Sequence, residues 1–390
     1  MTLTPDGAGA RADAPVKLLA AYEAGDFFLA TERRTVLAAG AAEVLTDPDP
    51  VRLGERVSAA LSGAGVPLAA GVLPFDPAGN PSRIVLPRSV YIAGPAHPGA
   101  AALTRRDVGI AIGTRAVPRP GRHREAVARA VSELRHGDLR KVVLARALDV
   151  EFADPVRPEA ILHNLLRENP HGYTFAAGLP GGDSLVGATP ELLVAKEGDR
   201  VLAYPQAGSA ARHPDPAADR AAGEALLASA KDQEEHAVLA EAVVETLRPF
   251  CRKLDVPSAP ALVGTPTMWH LGTTVAGELL DRDCTALRLA AALHPTPAVC
   301  GTPTAAARDL LGRLEPFDRR YYAGAVGWVD AEGDGEWAVS LRCAEVAHTA
   351  LRLYAGGGIL AASDPEAELA ETSAKFQTLF RAMGFDPESS

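Results

Sequence analysis

The chain has 390 residues, of which 47% are hydrophobic and 23% are charged. This composition is typical of a globular protein with an ample core, and the length fits two or three average domains or one large α/β or α+β domain. The formal net charge of -10 argues against a nucleic acid or an anionic membrane surface as partner, although a local basic pocket is compatible with it.

The sequence favours a soluble chain in a reducing, cytoplasmic compartment. Residues 1–15 lack the apolar segment of a secretory signal and are expected to form a disordered tail. The longest stretch without Asp, Glu, Lys or Arg, residues 256–277, contains three prolines and is therefore not expected to cross a membrane. The cysteines form no CxxC pair, which indicates free thiols and not a disulfide framework. They are Cys251, Cys284, Cys300 and Cys343.

The N-terminal third carries no recognisable chemistry. Residues 27–29 and 35–39 are predicted strands. Residues 50–103 mix short apolar runs with many glycines and prolines, which predicts strands and turns with little helix. The PRPG segment within residues 117–121 marks a domain edge or a loop.

A lysine stands at the start of the next predicted strand. Residues 122–135 are predicted to be a helix, since Val127, Val131 and Leu134 are in phase. The β-branched run Lys141–Phe152 that follows predicts a strand. A lysine at a strand end is ordinarily a solvated edge residue, so Lys141 by itself does not indicate a function.

A candidate general acid follows in the middle of the chain. Glu191 comes directly after Pro190 at the entry of a predicted strand, where a half-buried carboxyl has a raised pKa and can donate a proton. A surface glutamate at a strand end is the alternative. Residues 206–212 predict a Gly/Ser turn whose backbone N–H groups can face an anion. The surrounding predictions are a helix over 159–168 and strands over 173–177, 184–186, 192–195 and 201–204.

Residues 229–252 form the longest helical pattern in the sequence. Its apolar stripe includes Leu239 and Val243, and Glu235 falls at the rim of that stripe, whereas Glu234 lies nearly opposite. A tolerated boundary glutamate is the simplest interpretation of Glu235 alone. A second helix with carboxylates at the core's rim would favour a divalent cation, which needs oxygen ligands from separate elements.

Two further candidates lie in extended segments. His270 stands within a Gly- and Thr-rich region, residues 262–278, where a lone histidine is more often a hydrogen-bonded core residue than a catalyst. Residues 324–330 and 335–346 predict a hairpin with Arg342 in its second strand. An arginine in an apolar strand needs an anionic partner or a wet pocket. Residues 293–303 are turn-rich and apolar, and residues 309–322 are predicted to be partly helical.

The C-terminal segment combines glycines, carboxylates and a lysine. A predicted strand over 351–355 is followed by three glycines, a short extended piece and a helix with Ser363 or Asp364 as N-cap. Glu368, Glu371 and Lys375 share a stripe of this helix about 90° from an apolar stripe. Carboxylates and an ammonium beside bare glycine backbone suit a metal ion and an anionic ligand. A Glu-to-Lys salt bridge on a solvated face is the alternative. The apolar stripe is Leu369, Phe376, Phe380 and Met383.

Ten motifs, in this order over about residues 120–384, resemble the chorismate-utilising enzymes of menaquinone, siderophore and tryptophan biosynthesis. HPTPAVCG and the lysine of RKVVLAR are similar to those of isochorismate synthases, especially of the catecholate-siderophore branch. No glutamine-amidotransferase domain is visible in the sequence. The motifs are RKVVLAR (140–146), GATPELLV (187–194), QAGSAAR (206–212), KDQEEH (231–236), TPTMWHLGTTVAGEL (265–279), HPTPAVCGTP (294–303), EPFDRRYYAGAVGW (315–328), SLRCAEV (340–346), YAGGGI (354–359) and EAELAETSAKF (366–376).

The resemblance implies an isomerase that converts chorismate to isochorismate with Mg²⁺. Water adds at ring carbon C2 and the C4 hydroxyl departs. By this resemblance Lys141 is the general base and Glu191 the general acid. Glu235 and Glu371, with Glu368 directly or through water, bind the magnesium ion. The substrate-binding residues it implies are Gly208, Ser209, His270, Ala298, Arg342, Gly356, Gly357, Gly358 and Lys375.

The resemblance also implies an α+β fold, with two large, mostly antiparallel sheets packed as a sandwich and helices outside. One domain is expected, with a variable N-terminal part (16–118) and a motif-bearing core (119–385). A monomer without a glutaminase subunit is favoured. The alternatives are a salicylate synthase, which carries the reaction on to loss of pyruvate, an amine-adding homologue and a non-catalytic chorismate-binding protein.

Overall fold

The computed structural model describes residues 10–100, 102–169 and 171–384. Its α-helices, α1 to α10 in chain order, are Ala10–Ala21, Pro50–Ala64, His97–Ala100, Pro120–His136, Pro158–Glu168, Pro216–Ala228, Ala230–Leu247, Ala286–Leu293, Thr304–Leu314 and Pro365–Met383. Its strands, β1 to β20, are Phe27–Ala30, Thr35–Leu45, Leu68–Leu73, Arg83–Ala93, Ala111–Val117, Lys141–Phe152, Tyr173–Gly178, Ser184–Thr189, Leu192–Glu197, Arg200–Tyr204, Gln206–Ala211, Cys251–Asp255, Ala261–Gly264, Met268–Gly272, Val275–Leu279, Gly301–Thr302, Ala325–Asp330, Gly335–Val339, Cys343–Ala347 and Ala350–Ile359.

The strands form one 17-stranded ladder and one three-stranded sheet, β11-β14-β13. The pairings described are antiparallel, which confirms the predicted α+β class. The N-terminal strands belong to the same ladder, because β1 pairs with β7 and β3 pairs with β17. These pairings support the proposal that residues 16–118 are part of the same unit as the motif-bearing core.

Two apolar cores place the sheets and helices relative to one another. One core joins side chains from distant parts of the ladder, such as Phe175 of β7 and Trp337 of β18, and so lies between two layers of the sandwich. In the other, Ile161 of α5 and Phe376 of α10 cover Val186 of β8 from outside. The predicted sandwich with external helices is therefore present, although continuous hydrogen bonding joins its layers into one ladder.

Two predictions for the N-terminal third are wrong. Residues 1–9 lie outside the described residues, but α1 begins at Ala10, within the segment predicted to be disordered. Helix α2 occupies residues predicted to contain little helix. Its N-cap Asp49 accepts hydrogen bonds from the first turn and Pro50 stands at the start of the helix. Both residues are standard helix-start signals, so the local sequence contained the information.

Strand β6, which begins with Lys141, has the predicted bounds, and its neighbour β20 is longer than predicted. Strand β20 extends beyond the predicted 351–355 through the three glycines that follow, because all three pair with β6. The register sets Gly356 opposite Ala145 and Gly358 opposite Val143. Helix α10 then begins with Asp364, not Ser363, as the N-cap, and Pro365 stands in its first turn as expected.

Three other element predictions differ from the structure. Helix α7 begins after its N-cap Ser229 but ends at Leu247, and residues 251–252 belong to β12. The predicted turn at 206–212 is mostly the strand β11. The hairpin β17–β18 is present, but its second strand ends at Val339. The chain then crosses to β19, which pairs with β8 and β20, so Arg342 lies at a crossing between strands. None of the described helices is both long and apolar enough to span a membrane.

Candidate active site

One cavity brings together most of the residues that the sequence singled out. Strands β6 and β20, the bulged strand β11 and the crossing after β18 contribute to its wall. Ten of the predicted site residues line it: Glu191, Gly208, Ser209, Glu235, His270, Ala298, Arg342, Gly356, Gly358 and Lys375. The other four, Lys141, Gly357, Glu368 and Glu371, lie directly beside these residues.

Lys141 is buried at the edge of this cavity and not solvated. Only 1% of its surface is exposed, and its Nζ lies 3.0 Å from Glu235 Oε1. The backbone approaches closely here, because a Cβ at Gly358 would stand 2.0 Å from Glu235 Oε1 and 3.0 Å from Lys141 Cε. Glycine at 358 therefore leaves the space in which the lysine and the carboxylate meet. The solvated-edge interpretation of Lys141 does not hold.

Glu191 is buried and carries its proton at neutral pH. Burial raises the pKa of Glu191 to about 8, although a backbone hydrogen bond from Gln206 and the charges of Lys141, Arg342 and Lys375 oppose the shift. Gln206 also fixes the adjacent backbone, since its Nε2 donates to the Pro190 carbonyl over 2.8 Å. The surface-glutamate interpretation is excluded, because Glu191 is 3% exposed.

Arg342 presents a positive charge to the cavity. Its backbone is left-handed, with φ of 46°, at the point where the chain crosses from β18 to β19. Burial lowers the pKa of Arg342 to about 10, so it stays charged at neutral pH. Its guanidinium donates to His270 Nε2. Within the described chain its guanidinium joins no ion pair, so its charge is available to an anionic ligand.

His270 is neutral and orients its neighbours. Burial and the nearby charges of Arg342 and Lys375 hold the pKa of His270 well below its usual range. Since Nε2 accepts from Arg342, Nδ1 carries the proton and lies 3.2 Å from the Gly208 carbonyl oxygen and 3.1 Å from Ser209 Oγ. Gly208 has φ of +73° at the bulge in β11, a conformation that favours glycine.

The three carboxylates predicted to bind metal are each paired with a lysine. Glu235 pairs with Lys141, Lys231 Nζ lies 2.8 Å from Glu368 Oε1, and Lys375 Nζ lies 2.6 Å from Glu371 Oε1. Burial alone would raise the pKa of Glu235, but the lysines, Lys141 foremost, hold it below its usual value. Burial, reinforced by Glu371, raises the pKa of Glu368.

The carboxylates converge on two consecutive glycines without forming a ready-made metal cluster. A Cβ at Gly357 would stand 3.0 Å from Glu368 Oε2 and 3.9 Å from Glu371 Oε1, and Glu235 meets the next residue, Gly358. In the residues that the structure describes, no group of three or more His, Cys, Asp or Glu side chains is close enough to hold a metal. However, Glu368 Oε2 is buried without a hydrogen-bond partner, which leaves one acceptor ready for a cation.

Sequence reasoning missed several residues of the site. Tyr322 and Tyr354 line the cavity and stack with ring centroids 4.8 Å apart and planes at 4°. No local pattern indicates them, because their meeting depends on the sheet. Gln206 was placed in a turn without a role. Lys231 had a readable signal, since it stands four residues, about one helical turn, before Glu235.

Comparisons with known proteins agree with one another. A family model described as chorismate binding enzyme matches residues 103–384. The isochorismate synthase DhbC of Bacillus subtilis is 45% identical over 384 residues, which cover 95% of this chain and 96% of that protein. The vibriobactin-specific isochorismate synthase of Vibrio cholerae is 38% identical over 366 residues and covers 92% of each chain. A solved structure assigned as the 2,3-dihydroxybenzoate-specific isochorismate synthase DhbC of Bacillus anthracis matches with a TM-score of 0.90 at 41% identity, and covers 95% of this chain and 100% of that one.

Proposed function

Because this chain belongs to the family of chorismate-binding enzymes, we propose that it is an isochorismate synthase that feeds the synthesis of 2,3-dihydroxybenzoate for a siderophore. The observation that carries the proposal is the presence of a buried lysine, Lys141, and a buried acid, Glu191, at one cavity. Glu191 and Glu235 both line the cavity, and Lys141 Nζ lies 3.0 Å from Glu235 Oε1, so the lysine and the acid belong to one site. An isomerisation that adds water at one carbon and removes hydroxide from another needs such a base and such an acid.

The proton transfers follow from the two side chains. As the proposed general base, Lys141 accepts a proton from water while the water oxygen bonds to C2 of chorismate. The C1–C2 and C5–C6 double bonds move to C1–C6 and C4–C5, and the C4–O bond breaks. Glu191 gives its proton to the departing hydroxyl, which leaves as water. One water is added and one is released, so the product is an isomer of the substrate.

The cationic and N–H groups of the cavity bind the substrate's two carboxylates. Arg342 offers a buried guanidinium that pairs with no carboxylate among the described residues, and Lys375 offers an ammonium at the cavity wall. The backbone amides at Gly208, Ser209, Gly356 and Gly358, which line the cavity, are proposed as further donors. Neutral His270 holds Arg342 in place and, with Ala298, lines the ring pocket. Binding in one orientation supplies much of the rate enhancement.

The carboxylates of the site suit a magnesium ion by their chemistry, and they would have to move closer together to hold it, since no three of them are close enough among the described residues. Glu235, Glu371 and Glu368 supply the oxygen ligands that Mg²⁺ prefers, and the unpartnered Glu368 Oε2 gives one of them no competing hydrogen bond. The bound ion would hold the ring carboxylate of chorismate and polarise the conjugated diene. Within the chain, Lys141, Lys231 and Lys375 balance these negative charges. The enzyme is proposed to act as a cytoplasmic monomer without a glutaminase subunit.

Glu235→Gln should weaken the metal dependence of the enzyme. The amide keeps the shape of the side chain but removes the negative charge, so we expect the Mg²⁺ concentration for half-maximal activity to rise about tenfold or more. Titration of the apo protein with Mn²⁺, followed by electron paramagnetic resonance, gives the affinity directly. Glu234→Gln on the same helix is the matched control, because Glu234 is exposed. An unchanged titration curve for Glu235→Gln would count against its role.

Product analysis tests the function itself. Purified protein incubated with chorismate and Mg²⁺ should form isochorismate, detected by chromatography, without release of pyruvate. Salicylate with pyruvate would identify a salicylate synthase, and anthranilate formed only with ammonia would identify an amine-adding enzyme. Chorismate binding without turnover would identify a non-catalytic chorismate-binding protein. Each of these three outcomes contradicts the proposal.

A further inference from the structure

A buried ion pair outside the cavity fills a gap in the hydrogen bonding of β6. On the edge opposite β20, this strand pairs with β16 at Lys141 and Val142, and with β5 from Ala147 onward. Between these pairings, Val143 and Ala145 have no strand partner on that edge in the described chain. The Val143 N–H donates to the Cys300 carbonyl over 2.9 Å. The Val143 carbonyl and the Ala145 N–H need other partners, because buried N–H and C=O groups are costly to leave unpaired.

Glu315 and Arg319 supply those partners. Arg319 Nη2 donates to the Val143 carbonyl over 2.5 Å, and the Ala145 N–H donates to Glu315 Oε1 over 2.8 Å. The two side chains bind each other through two hydrogen bonds of 2.8 and 2.5 Å. The remaining Nη1 of Arg319 donates to the Val299 carbonyl over 2.6 Å. The pair thus links β6 to the segment that follows α8.

The pair is fully enclosed. The side chains of Arg319 and Glu315 are 2% and 6% exposed. The guanidinium carbon lies 4.4 Å from the ring centroid of Phe75 and 5.9 Å from that of Tyr322. Phe75 comes from the N-terminal third, which thereby closes the pair from solvent. A buried ion pair is often no better for stability than apolar side chains, so its presence points to a requirement for geometry.

The groups held by this pair form one side of the cavity. Val143, whose carbonyl it binds, lines the cavity two residues after Lys141, and Val299 lines it next to Ala298. Tyr322, which packs on Arg319, lines it as well. A shift of the pair would therefore move β6, which carries Lys141, relative to the cavity wall at Ala298 and Val299.

We infer that Glu315 and Arg319 are positioning residues for the isomerisation, which fix the distance between Lys141 and the wall at Ala298 and Val299. The inference rests on the proposed function, since it assigns the pair to that site. Misplacement of reacting groups by about 1 Å can lower a rate by about 100-fold, so small changes in the pair have large effects.

The test compares Arg319→Lys and the double variant Glu315→Leu/Arg319→Met with the wild type. Lysine keeps the charge but loses the fork of donors, and the apolar pair keeps the volume but leaves the carbonyls of Val143 and Val299 without donors. At an assay temperature well below the Tm of each variant, we expect kcat to fall about tenfold or more in both. The dissociation constant of chorismate should change less. Hydrogen exchange of a peptide covering 140–147 should become faster.

Lys196→Met is the control for a purely structural effect. Lys196 is as buried as Lys141 and pairs with Asp334 over 2.6 Å, away from the cavity. Its loss should lower Tm while kcat stays within about twofold of the wild type, since no site group moves. The inference is overturned if conditions that restore the Tm of the double variant also restore its kcat to the wild-type value. It is also overturned if hydrogen exchange at 140–147 is unchanged. A wild type without isochorismate synthase activity would instead refute the function, while the exchange result still reports on the pair.

Discussion

Lys141→Ala should abolish the formation of isochorismate while chorismate still binds. The substitution removes the proposed general base, and general bases contribute about 10²–10⁴-fold to a rate. Arg342 and Lys375, the proposed partners of the substrate carboxylates, still line the cavity, so the dissociation constant measured by calorimetry should change little. Turnover is measured by chromatography of the product. Activity within tenfold of the wild type would refute the role of Lys141 as the base.

Stability has to be separated from catalysis in this experiment. Loss of Lys141 leaves Glu235 buried without its partner, and such an unpaired charge costs about 3–5 kcal/mol. Lys196→Ala is the matched control, because it removes an equally buried lysine from a carboxylate outside the cavity. Both variants should lose thermal stability, and only Lys141→Ala should lose turnover. Equal losses of turnover in both would assign the effect to folding.

Much of the site was predictable because its signals are local. The bounds of β6 follow from a β-branched run, and the N-cap of α10 follows from Asp364 with Pro365 behind it. Helical phase places Glu235, and not Glu234, at the rim of the core, and the structure confirms this placement, since Glu235 is buried at the cavity and Glu234 is exposed. The roles of the individual side chains came from the motifs, whose order resembled one family.

The remaining features depend on contacts between distant residues. The sequence predicts that the strand ends before the glycines of β20, and the pairing with β6 decides that they are part of the strand. Lys141 looked like an edge residue because its partner, Glu235, lies far along the chain. The ion pair of Glu315 and Arg319 has the i, i+4 spacing of an ordinary helix-surface pair. Its burial, and the gap in β6 that it fills, are visible only in the folded chain.

Glu191→Gln should remove most of the turnover and change how stability depends on pH. The amide cannot supply the proton for the departing hydroxyl, so kcat should fall by about 10²–10⁴-fold. In the wild type, activity requires the protonated acid. Since the pKa of Glu191 is about 8, wild-type activity should decline as the pH rises through that value. Initial rates between about pH 6 and pH 9 measure this decline.

The sign of the stability effect follows from the same pKa. Burial raises the pKa of Glu191 from 4.5 to about 8, so its folded form favours the neutral acid. The wild type therefore loses stability as the pH rises between these values, whereas glutamine does not titrate. The Tm of Glu191→Gln minus that of the wild type should increase from about pH 5 to about pH 9.

Glu336→Gln is the control, since burial also raises the pKa of Glu336, outside the cavity. This control should show a similar trend in Tm but keep the decline of activity with rising pH that the wild type shows. If Glu336→Gln lost this decline, Glu191 would not be the group that causes it.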